Sequence, residues 1–448
     1  MHIPTRQLPA RAAWLKIHLY LALTGGFFFA LIGLSGSLSV YREELDELLN
    51  PQLLIKAPQD PSGHDLKYPS LDNIMAAVQA AHPKRYGAWT LEMPQSPERA
   101  VTVWYEKPQE TYFEYYAPLM VSVNPYTAEV VANRYWGQTA MTWLLDLHTQ
   151  LRLDRLGWNL VGLLGGLLMI SIGTGLYLWW PAKGQYRQAF SIRHNAGMIR
   201  FAVDVHRLVG FLSAVTLLLL AFTGLQLSYP KALETLLGSP DVGHGNSGPA
   251  ILSTARPNNR PVRLEEAEFI ARGPFPHAAL RRITTPVGDT GTYRVNLRQG
   301  GEINQKHPMT MVWIDRWSGH IKEVRDPGAF SWGTTLTTWM WPLHTGEAFG
   351  ATGRLLWFIT GLCPALLYIS GLLRWLHRHG MVHDRPIQLS ALRPAIQNFQ
   401  KQLCRIGLTL LKLLVRLAKK AGQYAPVVKA KALLWLRRIQ QHPIANRK

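Results

Sequence analysis

Phe201-Ala-Val-Asp204-Val-His206-Arg207-Leu-Val-Gly210 opens an apolar run that continues to Ser228, and Trp14-Leu-Lys-Ile-His18 opens another that continues to residue 40. The two runs superimpose. His18 and His206 are 188 residues apart, and the same interval carries Gly36 onto Gly224, Tyr41 onto Tyr229 and Leu48-Leu49 onto Leu236-Leu237. A second set repeats at an interval of 196: Trp143, Leu147, His148 and Thr149 fall on Trp339, Leu343, His344 and Thr345, Gly175 on Gly371 and Trp179 on Trp375. The chain therefore reads as a tandem duplication whose membrane-proximal histidines come in matched pairs. Matched imidazoles next to lipid point to two metal or haem sites about a pseudo-twofold axis.

The 448 residues have a mean hydropathy near zero, too high for one soluble enzyme and too low for a pure membrane bundle. Four stretches, 14–40, 157–180, 202–228 and 353–376, are long and apolar enough to span, since about 20 apolar residues cross a bilayer. The first is too long for a signal-peptide core and reads as a retained anchor. The net charge of +20 is concentrated: from Arg374 onward there are sixteen Lys or Arg against one acid, Asp384. Lys183, Arg187, Arg193 and Arg200 fill the 181–200 loop without an acid, whereas 42–147 carries fourteen acids against eight bases. That distribution follows the positive-inside rule rather than a nucleic-acid footprint. It predicts both termini and the middle loop in the cytoplasm, and the two long loops in the periplasm. The two cysteines, Cys363 and Cys404, imply no disulfide framework.

The fold class expected is a membrane protein with four transmembrane helices in a duplicated parallel repeat and two α+β periplasmic domains, at 42–147 and 229–343. Alternating stretches predict strands at Ala100 to Tyr105 and Thr292 to Leu297, and helical spacing predicts helices at Ser70 to Ala81 and Leu264 to Ala271. The segments beginning at Val121 and Met311 read as equivalent strand-turn units. Gly238 to Pro261, rich in Gly, Pro, Ser and Asn, reads as a mobile loop. The basic tail, 377–448, contains an amphipathic stretch, 396–420, suited to the anionic inner leaflet or to a partner subunit.

Depth dictates how the histidines pair. His18 and His206 fall near the cytoplasmic boundary, and His148 and His344 near the outer one, on the order of 20 to 30 Å away and too far to share an ion. Two bis-imidazole sites follow, one per leaflet. Haem b suits them, because neutral nitrogen donors and an apolar macrocycle both belong in an apolar bundle. Zinc or copper would want further ligands, and only Asp204 lies within a turn of His18 or His206. No CxxCH occurs, so the haem would be non-covalent. Thr149 and Thr345 are read either as groups orienting the outer imidazoles or as helix caps. The span glycines read first as sites of close helix approach and also suit a porphyrin face against backbone, without deciding between the two. Trp136, Trp332 and Trp341 read as acceptor-facing rings or as interfacial anchors.

With Trp14-Leu-Lys-Ile-His18, Asp204-Val-His206-Arg207-Leu-Val-Gly210, Leu147-His148-Thr149 and Leu343-His344-Thr345, the chain over residues 12–378 resembles the PepSY-associated transmembrane family of bacterial inner-membrane proteins. The first copy departs from the pattern, with Lys16, Tyr20 and Ala22 where the second has Asp204, Arg207-Leu208 and Gly210. The resemblance implies a ferric-siderophore reductase of the ferrioxamine-uptake kind. Its cofactors would be two haems b, with His18, His206, His148 and His344 as iron ligands. Ferric iron is a hard cation held by oxygen chelators, and reduction to the softer ferrous ion weakens that grip. No GxGxxG follows a predicted strand and no Walker loop is present, so electrons are expected from a cytoplasmic partner or membrane quinol. The alternative is a haem-free sensor or an accessory subunit of an uptake system.

Overall fold

The computed structural model describes residues 9–56, 58, 70–182, 184–185, 189–193, 197–239, 250–254 and 260–386. The amphipathic stretch expected at 396–420 lies outside them. Residues 1–192 and 199–383 make one compact unit, and 193–198 with 384–448 make another. In the smaller unit the Met198 N–H donates to the Arg385 carbonyl. All that follows concerns the larger.

Among the described residues three helices are long and apolar enough to cross a membrane: α6 (Asp154–Trp179), α7 (Met198–Ser228) and α11 (Gly350–Arg378), the last with the turn before it. The first apolar run, expected as one span, is instead a pair of helices, α1 (Pro9–Thr24) and α2 (Gly26–Ser39), bent by 57° at Gly25. Crowding at the break explains why glycines stand there. A Cβ on Gly25 would come within 2.9 Å of the Phe29 ring, and one on Gly26 within 2.5 Å of the Tyr368 ring. Beyond the bend α2 runs against α11, where Gly33 faces the Gly361 carbonyl and Pro364, and Ser37 Oγ donates to the Phe358 carbonyl at 2.8 Å. These first-span glycines do serve close helix approach.

Short helices carry the chain between spans and sheet: α3 (Arg42–Leu49), α5 (Ala140–Gln150), α8 (Pro230–Leu237) and α10 (Trp332–Thr345). Two more, α4 (Leu71–Ala81) and α9 (Leu264–Arg272), cover one face of the sheet at the predicted positions. Ser70 caps α4 by accepting from the Asp72 N–H, and Leu71, Ile74, Met75 and Val78 recur at helical spacing and are buried. The Asp72 carboxylate in turn accepts from the Leu264 and Glu265 N–H groups at the start of α9. One acidic side chain thus satisfies the orphan donors of a helix 192 residues away.

The strands are β1 (Trp89–Glu92), β2 (Val101–Tyr105), β3 (Leu119–Val123), β4 (Val130–Tyr135), β5 (Ala279–Thr284), β6 (Thr292–Arg298), β7 (Thr310–Asp315) and β8 (Ile321–Arg325). The β3 and β7 units end in matching turns, Asn124 Oδ1 accepting from the Tyr126 N–H and Asp315 Oδ1 from the Trp317 N–H. Two separate outer domains were expected, but the strands form one antiparallel sheet in the order β4-β3-β2-β1-β5-β6-β7-β8. Each half alone would leave β1 or β5 as an unpaired edge, and pairing the two removes both edges. Leu91 meets Ile283 in the core, and the Thr90 and Thr284 hydroxyls lie 2.9 Å apart.

Glu92 closes this seam from the opposite face of the sheet, with Arg281 at 2.5 Å and Arg282 at 2.8 Å. Burial pushes its carboxyl up, but the Arg282 and Arg281 guanidiniums outweigh that and hold it below the usual 4.5. The contribution is therefore complete above the ordinary carboxylate range and is lost as pH falls through the lower folded value. Glu92→Ala strands two guanidiniums and is expected to cost about 3–5 kcal/mol. A thermal melt of the purified protein at pH 7 should show a large loss of stability, and an unchanged midpoint would rule the seam out as a structural tie.

The segment 238–261, expected to be mobile, is only partly described. Residues 250–254 are pinned to the sheet: the Ser253 N–H donates to the Thr290 carbonyl, Ser253 Oγ to the Gly291 carbonyl and the Thr254 N–H to Asp315. The buried Ser253 and Asp315 hold a stretch whose composition signals a loop. The sheet face away from α4 and α9 turns toward the helical bundle, with Arg134 bound to Asp46 of α3 and Trp136 Nε1 donating to Asp146 of α5. The sheet thus lies over one end of the spans.

Candidate paired-imidazole sites

Two pairs of histidines meet inside the bundle. His18 on α1 faces His206 on α7 with ring centroids 6.4 Å apart and the planes nearly perpendicular. His148 on α5 faces His344 on α10 at 6.1 Å, with the planes tilted by 39°. The continuous helix α7 bears His206 at one level and touches the other pair through Thr223 and Gly224. Those 17 or 18 residues at 1.5 Å rise put the levels roughly 25 Å apart. His206 lies on the spanning helix α7 and His18 on α1 of the bent pair, whereas His148 and His344 lie on the short helices α5 and α10.

Each ring is held by a neighbouring helix through Nδ1. His18 Nδ1 lies 3.1 Å from both the Ser171 carbonyl and Thr174 Oγ1, and His206 Nδ1 lies 3.0 Å from both the Leu367 carbonyl and Ser370 Oγ. At the other level His148 Nδ1 is 2.9 Å from the Ile32 carbonyl, and His344 Nδ1 is 2.9 Å from Thr223 Oγ1. The hydroxyls already donate to carbonyls of their own helices: Thr174 to Ser171, Ser370 to Leu366 and Thr223 to Leu219. They can only accept from the rings. All four Nδ1 atoms therefore carry the proton, which leaves each Nε2 lone pair free to bind a metal.

A glycine backs every ring. A Cβ would meet the imidazole carbon Cε1 at 3.1 Å from Gly175 (His18), 3.4 Å from Gly371 (His206), 2.6 Å from Gly36 (His148) and 3.1 Å from Gly224 (His344). By contrast Gly166 and Gly173 of α6 have no neighbour in that position within 4 Å. The four glycines are two of the sequence's matched pairs, as are Ser171 with Leu367, Thr174 with Ser370, Ile32 with Leu220 and Ser35 with Thr223 at the same intervals. The hydroxyl partners were not singled out from sequence. That they recur with the histidines was the available signal.

Thr149 and Thr345 touch neither ring. Their hydroxyls donate back to Leu145 and Trp341 one turn earlier on their own helices, so both proposed roles fail. Trp136 is tied to Asp146 and Trp341 lies edge-on to His307, whereas Trp332 at the start of α10 is 74% exposed. His377 and His379 contact the Val382 and Trp375 carbonyls, and His82 contacts Asn133. Among the described residues no group of three or more His, Cys, Asp or Glu could hold a metal ion.

The sheet is clamped above the His148–His344 level. Lys306, in the β6–β7 loop, reaches Glu43 of α3 at 3.0 Å and Glu347 before α11 at 2.8 Å. Burial pushes the Glu43 carboxyl up, yet Lys306, Arg42 and Arg99 draw it down to about 2. Beside this clamp a cavity of about 180 Å³ opens between sheet and helices, lined by Arg42, Trp104, Trp136 and Arg99 among others.

A bundle of apolar helices under a sheet roof, with two pairs of facing imidazoles, defines an integral membrane protein. The chain belongs to the PepSY-associated TM region family, whose model matches residues 15–378. Comparison with curated proteins gives no match.

Proposed function

We propose that the chain is a haem b-containing reductase of the bacterial inner membrane that carries electrons across to a periplasmic ferric siderophore of the ferrioxamine type and releases ferrous iron. The observation that carries this reading is the spacing of the paired rings. An imidazole nitrogen binds a first-row metal at roughly 2 Å, so two facing rings that would share one metal need about 6 Å between their centroids. The two pairs stand at 6.4 and 6.1 Å. The residues therefore fit the group: neutral nitrogen donors with fixed tautomers, glycines behind each ring and, among the described residues, no competing group of three or more His, Cys, Asp or Glu.

Haem b, when bound, supplies one-electron chemistry. His18 and His206 would hold it at one level, and His148 and His344 at the other. Thr174, Ser370 and Thr223 keep the rings oriented and their Nδ1 protons in place, while the surrounding apolar side chains exclude water. The substrate accepts one electron, ferric iron becomes ferrous, and the oxygen chelator loses its preferred hard cation. The donor is membrane quinol or a cytoplasmic protein.

We take the bent pair as one span, which makes four spans in a duplicated parallel repeat, and the basic ends support a topology with both termini in the cytoplasm and the sheet in the periplasm. Purified protein from cells grown with ample iron is expected to yield close to two haems per chain by pyridine haemochrome, with low-spin bis-imidazole spectra. Prereduced protein should reoxidise on adding ferrioxamine while a ferrous trap collects iron. A chain without haem would overturn the proposal in favour of a sensor or an accessory subunit.

A further inference from the structure

The loop joining β2 to β3 holds the most exposed ring in the described residues. Phe113 is 98% exposed, Tyr112 63% and Tyr115 42%. The loop is rigid at its base: the buried Thr111 hydroxyl donates to the Ala117 carbonyl at 2.6 Å, and Glu110 pairs with Arg85 at 2.6 Å. Exposed aromatics on a closed, braced loop form a presented surface.

The contacts locate that surface. Tyr116 packs edge-on against Trp136, which donates to Asp146 of α5. A Cβ on Gly137 would lie 3.1 Å from Arg152 Nη1 and 3.9 Å from Glu114 Oε2, so Glu114, next to Phe113, sits beside the turn that leads into α6. There Leu153 and Leu156 are 51% and 64% exposed at the start of the span. The β6–β7 loop of the other half reaches the corresponding turn before α11, through Lys306 and Glu347. Both loops thus arrive where a span begins, one pinned by charge and the other presenting rings.

We propose that Tyr112, Phe113 and Tyr115 insert into the headgroup region of the bilayer beside α6, anchoring the first half of the sheet to the membrane surface. Rings with an apolar body and, in tyrosine, a polar tip partition to that layer. Continuity with the exposed leucines of α6 makes lipid the occupant.

The test uses the full chain with Cys363→Ser and Cys404→Ser in lipid nanodiscs, nitroxide-labelled at Phe113→Cys. Leu163→Cys on the exposed face of α6 and Phe269→Cys, an exposed ring on α9 across the sheet, serve as lipid and water references. The expected result is a ratio of oxygen to nickel-chelate accessibility at 113 severalfold above that at 269 and approaching that at 163. A ratio equal to that at 269 would overturn the proposal, as would low accessibility to both probes, which would mean that protein covers the loop. Tyr112→Cys carries the same test should Phe113→Cys misfold. Neither outcome depends on haem.

Discussion

His344→Ala and His148→Ala should each abolish the same haem and spare the other, because the two rings share one site with centroids 6.1 Å apart. His18→Ala and His206→Ala should remove the remaining one. The loss in each case is half of the haem, read as one of two spectral components with distinct midpoint potentials. Loss is expected because His148 and His344 would hold one group between them, as would His18 and His206, and removing one ring leaves a site with a single imidazole nitrogen. If His148→Ala and His18→Ala removed one common component, the two-level assignment would be wrong. Chemistry should separate as well. The outer variants are expected to stop reoxidation by ferrioxamine even where inner haem is still reducible by dithionite, since the His148–His344 pair is the one beneath the sheet.

Gly36→Ala is expected to weaken haem binding at the His148–His344 site while leaving all four histidines in place. The added carbon would stand 2.6 Å from Cε1 and 2.9 Å from Nδ1 of His148, inside contact distance and beside a ring already pinned to Ile32. Overpacking of this kind costs about 1–3 kcal/mol, roughly 5- to 150-fold in affinity. Gly173→Ala in α6 supplies the control, with open space in the same position and no expected effect. Haem content of the two variants decides the matter. Equal occupancy would show that the glycines serve helix packing alone.

Much of this arrangement was legible as intervals. The histidines and the glycines behind them recur at 188 and 196 residues, and a repeated His on a repeated apolar run is hard to explain as packing. The partners of those rings were less visible. Thr149 and Thr345 attract notice because they adjoin the histidines in sequence, but adjacent residues on a helix point about 100° apart, and each hydroxyl turns back to its own backbone. Thr174, Ser370 and Thr223 make that same backbone bond and have an acceptor lone pair left for an imidazole from another helix. Nothing local distinguishes the two cases. The bend at Gly25 was hidden for a related reason, since the apolar run passes through it without a break. The joined sheet left no trace at all in either half, because β1 and β5 look like ordinary edge strands until they are paired.

That pairing sets a schedule for making the protein. Leu91 pairs with Ile283, 192 residues later, and α6 and α7 lie between them in the chain. At 5–20 residues per second β1 waits about 10–40 s before its partner is synthesised. During that interval β1 offers its unpaired backbone to any passing strand. A chain that stalls after α7 would remain in this open-edged state, so the second set of four strands completes the first as well as itself.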